Sequence, residues 1–189
     1  MAYDFLLQEN VTGRDFWNNV WKWEGPQKIR CFLWLVINDG LKTNDKRSRC
    51  RLTNQSNFPL CLTENENSLH LLRDCELVKP VWRHFGVDFD RGERDNVRNW
   101  LGKHLNATNQ NRHVMFGIIS WCIWVHRNQH VFEDKIFEWQ NVTVHISYLL
   151  DEITRAANVF PHMERTYTSI HVGWKFPRKG WIKCNTDGH

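Results

Sequence analysis

Apolar residues recur at helical spacing along most of the chain. Trp17, Val20 and Trp21 stand at i, i+3 and i+4, which predicts one helix face over 14–24, broken by Gly25-Pro26. A denser apolar segment over 27–39 carries Ile29, Phe32, Leu33, Leu35, Val36 and Ile37. It predicts a buried helix with Gly40 in the position just past its end. Thr43 can cap a third helix over 44–52. Residues 53–68, rich in Asn, Ser and Thr, read as loop. A short helix then runs through Val81, Trp82 and Phe85 to Gly86, with Pro80 in its first turn.

The charged, Gly-containing stretch 87–95 reads as a linker, and Val97, Trp100, Leu101 and Leu105 mark an amphipathic helix. Two long helices follow, over 110–133 and 137–158. The first has Val114, Ile118, Trp121, Val125 and Phe132 on its apolar side, the second Val142, Ile146, Leu149, Leu150 and Ile153. Periodicity is lost over 161–173. Trp181, Lys183 and Asn185 then alternate with Ile182, Cys184 and Thr186, as in a strand. The pattern predicts a mainly α protein: a small helical domain, a long helical pair and one orphan β-strand. The expected boundaries are 1–86, 87–160 (a helical connector) and 161–189.

Composition narrows the class. The 189 residues, 41% hydrophobic and 24% charged, suit a soluble chain of one domain or one domain plus a fragment. The 11 Trp read mainly as core filling. No secretory leader is evident, and the longest near-apolar run, Val114 to Val125, is too short to span a bilayer. These features predict an intracellular protein, nuclear or cytoplasmic, without a membrane partner. Among the six Cys, Cys31 and Cys122 lie in apolar helical patterns and read as small core residues. In a chain that is not secreted, metal binding gains weight over disulfides. The net charge of +4 permits a nucleic-acid partner without requiring one. Lys42, Lys46, Arg47, Arg49 and Arg51 cluster against a single Asp45 and can neutralise phosphates, although such charge runs are commonly solvated faces.

The strongest chemical signal lies in 58–75. Cys61, His70 and Cys75 stand at spacings that suit a small zinc site, and zinc favours thiolate and imidazole donors. His70 and Cys75 bracket close to one helical turn. Structural zinc sites are usually closed by four ligands, and the position expected to hold the fourth is Phe58, which has no lone pair to give. A water, Cys50, Glu64 or Glu66 can supply that bond; alternatively, the site is metal-free and Phe58 fills the space by packing.

The order Trp21-Lys22, Pro26 to Trp34, Leu41-Lys42-Thr43, Pro59-Leu60-Cys61, Leu69 to Cys75 and Val81-Trp82 resembles the reverse transcriptase zinc-binding domain of plant non-LTR (LINE-type) retrotransposons. In that family the domain lies between a reverse transcriptase and a ribonuclease H domain. Its pattern is Cys-Pro-x-Cys followed by His-x4-Cys, so the resemblance makes Cys61, His70 and Cys75 ligands and Phe58 the departure. Trp124-x-x-Arg127-Asn128 is similar to a segment that often follows this domain in plants. The segment Trp174 to Gly188 resembles the first strand of a plant ribonuclease H-like domain, and makes Asp187 the first of four acidic ligands there. Two-metal phosphoryl chemistry needs several carboxylates around ions about 4 Å apart, and Asp187 stands alone. The resemblance therefore implies a non-catalytic nucleic-acid-binding retroelement fragment, partnered by RNA or DNA and by polymerase or nuclease portions of a polyprotein. The alternatives are a ribonuclease H acting on RNA–DNA hybrids and a decayed relic without activity.

Overall fold

A computed structural model describes Val20, residues 23–89, 96–105 and 110–159, and the pair 179–180. The helix expected over 14–24 and the strand over 181–186, with Asp187, lie outside the described residues, save for Val20, Trp23 and Glu24. Within them the elements are α1 (Gln27–Ile37), α2 (Asn44–Arg49), a π-helical turn (His70–Asp74), α3 (Lys79–His84), α4 (Val97–Leu105), α5 (Gln110–Glu133) and α6 (Trp139–Val159). The described part is mainly helical, as the periodicity predicts.

Three helices end the same way. The Gly86 N–H reaches the Arg83 carbonyl and the Val87 N–H that of Trp82, with Gly86 at φ 69°, a left-handed cap that favours glycine. After α1 this role falls to Asp39 (φ 50°), not to Gly40; the Gly40 N–H closes the motif on Leu35 O. A short polar side chain tolerates the left-handed region, and here the Asp39 carboxylate also meets Lys46 and Arg49. Arg51 (φ 58°) plays the same part after α2, so that helix stops before the predicted residue 52.

One core draws on all the helices but α2. Val36, Leu33, Leu71, Leu72, Val81, Leu101, Ile119 and Ile146 are fully buried, so it includes residues from 1–86 and from 87–160 alike. Its centre is aromatic. Trp82 of α3, Trp100 of α4 and Phe116 of α5 meet with ring centroids 4.9–6.0 Å apart. The Trp82 indole N–H also donates to Leu72 O at 2.7 Å, tying α3 to the π turn. Trp23 lies over Gly25 and Gly117 and donates to His113 O at 2.9 Å. A Cβ on Gly117 would fall 2.5 Å from that indole, so α5 needs a glycine there.

Not every apolar position is inward. Phe132, predicted on the apolar side of α5, is 71% exposed, and the buried stripe instead passes through Ile119, Ile123 and Arg127. Cys122 is buried as expected, but Cys31 is exposed. Val142 and Ile146 of α6 are buried and Leu149, Leu150 and Ile153 pack half-buried against the core. No helix among the described residues is long and apolar enough to cross a membrane.

Candidate metal centre and basic face

The polar stretch before the π turn folds into a tight hairpin. Asn57 bridges Asn65, the Phe58 N–H donates to Glu64 O and the Glu66 N–H to Ser56 O, each at 2.8 Å. Cys61 sits in the turn of this hairpin, next to Leu62 at φ 60°. His70 and Cys75 bracket a wider turn than an α-helical one, closed by the Cys75 N–H on His70 O at 3.0 Å. In an α-helix, residues five apart diverge by roughly 140° around the axis. The π turn brings them to the same side.

The sulfurs of Cys61 and Cys75 and a nitrogen of His70 thus lie within 4.8 Å of one another. Cys61 Sγ is 3.2 Å from His70 Nε2 and accepts from Thr63 Oγ1 at 3.4 Å. The backbone N–H groups of Thr63 and Glu64 favour a charged Cys61 sulfur, and those of Leu77 and Val78 a charged Cys75 sulfur. Such outer contacts hold thiolate ligands in place. Burial raises the Cys61 thiol, but the Thr63 hydroxyl and N–H, the Glu64 N–H and His70 together bring it down to about 6. Burial dominates at Cys75 and pushes it up to about 11, with the Cys61 charge adding to the rise. The pair therefore holds one thiolate and one thiol near neutrality, and a bound ion displaces the second proton.

Three donors fit an ion; a closed set of four does not form among the described residues. Phe58 is fully buried, its ring edge-on to His70 with centroids 5.4 Å apart. Glu66 is not a ligand: Arg127 takes both its oxygens at 2.6 Å, and the Asn44 N–H takes one at 2.5 Å. Glu64 lies 3.1 Å from His70 Nδ1, on the opposite edge of the ring from Cys61 and without hydrogen-bond alignment. That places it to orient the imidazole from outside the ion's shell. Cys50 is exposed at the end of α2 and outside the group.

The basic cluster is on the surface, and part of it is already paired. Lys46 and Arg49 meet Asp39 at 3.1 and 3.0 Å, and Arg49 also meets Asp45 at 3.1 Å. Arg47 donates to the Asn44 side chain at 3.2 Å. Lys42 and Arg51 are exposed and make no ion pair among the described residues. Glu66 joins this face to the hairpin, since its carboxylate takes the Asn44 N–H and its carbonyl the Asp45 N–H at 3.3 Å. Arg127, 1% exposed, is the residue whose structural role sequence reasoning missed. Its signal was a charge continuing the stripe Ile119, Ile123, which demands a buried carboxylate partner.

A helical unit whose hairpin and π turn converge two thiols and an imidazole is a small Cys/His metal-type domain with a helical extension. Residues 1–82 match the family described as zinc-binding in reverse transcriptase, so this part of the chain is similar to it. Over 208 aligned residues the chain is 28% identical to a putative ribonuclease H protein of Arabidopsis thaliana. That match covers 99% of this chain and 32% of the relative, so the chain spans about a third of the relative's length. No solved structure matches the chain.

Proposed function

We propose that this retrotransposon-derived chain is a non-catalytic module that binds RNA or DNA without sequence preference. The observation that carries this reading is the run of five basic residues, Lys42, Lys46, Arg47, Arg49 and Arg51, of which Lys46 and Arg49 share two carboxylates, Asp39 and Asp45. It is fixed to the hairpin through Glu66. An excess of fixed positive charge releases counterions from a phosphate backbone and needs no base contact. Among the described residues, Cys61, His70 and Cys75 are the one group able to hold an ion, and it is not the set of several carboxylates that two-metal phosphoryl chemistry uses. Zinc is the family's ion, and polymerase or nuclease portions of a retroelement polyprotein are the partners that the family implies.

Fluorescence anisotropy with labelled single strands and duplexes tests the reading. Lys42→Gln with Arg51→Gln removes the two groups that make no ion pair among the described residues, and weakens binding more than Lys46→Gln with Arg49→Gln. Removing one phosphate interaction reduces the slope of log affinity against log salt by about 0.7–0.9. Unchanged affinity and slope in both double variants remove the proposal. A second reading, hydrolysis of RNA–DNA hybrids, follows from the relative's name. Hybrid cleavage by the purified chain that Asp187→Asn abolishes would establish it instead.

A further inference from the structure

We infer that Phe58 has taken over, by packing, the corner that a fourth ligand would hold. The fold of this chain then stands without a metal, and the three remaining donors form an exchangeable ion site rather than a structural one.

The backbone at Phe58 keeps the hairpin closed whatever its side chain does: its N–H donates to Glu64 O and its carbonyl accepts from the Leu62 N–H, both at 2.8 Å. Its ring is wholly buried in the same core as Leu71, Leu72 and Cys75 and stands edge-on to His70. A metal stabilises small domains outright where they lack a core of their own. Here the pieces an ion would clamp are clamped otherwise. Glu66 binds the hairpin to α5 through Arg127, Trp82 binds the π turn through Leu72 O, and the Asn67 side chain takes the His70 N–H at 2.8 Å.

The same arrangement limits the ion. Among the described residues, each side chain considered as fourth donor is engaged or misplaced: Glu66 by Arg127, Glu64 by facing His70 Nδ1, Cys50 by lying outside the group. Water is then a further donor: Cys61 is partly exposed, whereas Phe58 is fully buried. Three protein ligands plus water leave one coordination position open to solvent, whereas four protein ligands close the shell.

The test compares the full chain, chelator-stripped and zinc-loaded, by thermal melting followed by circular dichroism, and by competition for zinc with a chromophoric chelator. The chelator-stripped wild type still unfolds in one cooperative transition, and zinc raises its melting temperature by no more than mass action at its measured affinity requires. It binds one zinc at least about a hundredfold more weakly than Phe58→Cys, as expected when a ligand is missing. Phe58→Cys melts lower than wild type when stripped and recovers on adding one equivalent. Cys61→Ser lowers the zinc affinity and leaves the melting temperature of the stripped protein in place. Should Phe58→Cys fail to fold, the wild-type melts and Cys61→Ser still decide. Cooperative unfolding of the wild type on chelation, or wild-type zinc affinity equal to that of Phe58→Cys, would overturn the inference.

Discussion

Two buried polar groups share the segment between Ser56 and Cys75, and they are finished in opposite ways. At Glu66 both carboxylate oxygens are taken by Arg127 and one also by the Asn44 N–H, with neither side chain of the ion pair more than 1% exposed. Four residues on, His70 shares its pocket with two thiols, its Nδ1 lacks an aligned partner, and the remaining side is a phenyl ring. The first group is complete within the protein and fixes geometry. The second keeps donor capacity in hand, which is what an ion site needs. A fully buried charge is tolerated only when its partners are all supplied, whereas the one thiolate of the second group, Cys61, is partly exposed and rests on hydrogen bonds without a fixed counter-ion. That difference predicts very unequal responses to substitution.

The largest effect belongs to the closed group. Arg127→Ala strands the Glu66 charge in the core and removes the link between α5 and the hairpin. Breaking one side of a buried pair costs about 3–5 kcal/mol. The urea midpoint at pH 7 measures it. Replacing both partners, with Arg127→Met and Glu66→Leu, costs less than Arg127→Ala alone, because no unpaired charge remains. A double variant no more stable than the single one would mean that the pair contributes through packing and not through charge complementarity.

A third polar contact lies between these extremes. His126 Nε2 and His145 Nδ1 are 3.2 Å apart across α5 and α6. Burial, then the neighbouring His145 and Lys135, lower His126 to about 4; burial and Lys28 lower His145. The unfolded chain takes up its proton near the ordinary imidazole value, about 6.5, and the folded chain resists until about 4. Between those values the unfolded state binds more protons, so stability is full above about pH 6.5 and falls as the pH drops towards 4. With His126 partly exposed, the loss is about 1–2 kcal/mol. Carboxylates titrate in the same range, so the readout is a difference: His126→Gln flattens the decline in urea midpoint between pH 7 and pH 4.5 relative to wild type. Parallel declines would sink the assignment.

The legible part of this molecule is the part encoded locally. Apolar spacing places α5 and α6 to within two residues, and Thr43, Pro80 and Gly86 mark helix ends that the backbone confirms. The Cys61, His70, Cys75 spacing identifies a group that the fold does bring together. What stays hidden depends on partners distant in sequence or on small differences of backbone. Glu66 reads as a candidate ligand until Arg127, 61 residues away, is seen to hold it. His-x4-Cys spacing does not distinguish an α turn from a π turn, which differ in where residue i+5 points. Gly40 is the more permissive residue, yet Asp39 takes the left-handed position, because there its carboxylate meets Lys46 and Arg49. Periodicity also marks a stripe without saying which edge is covered, which is why Phe132 reads as inward and is exposed.

The smallest predicted effect tests whether Glu66 and not the local cap is what seats α2. The first N–H groups of this helix are shared between them: Asn44 and Asp45 donate to Glu66, and Lys46 donates to the hydroxyl of Thr43 at 3.2 Å. Thr43→Ala therefore orphans one donor of three and costs about 1 kcal/mol, with Thr43→Ser recovering most of it. Nucleic-acid affinity should hold in both variants, since the basic side chains keep their anchor. A Thr43→Ala loss as large as that of Arg127→Ala, or a matching fall in affinity, would shift the seat of α2 from the buried ion pair to the cap. The contrast between a closed and an open polar group would then no longer explain how the basic face is held.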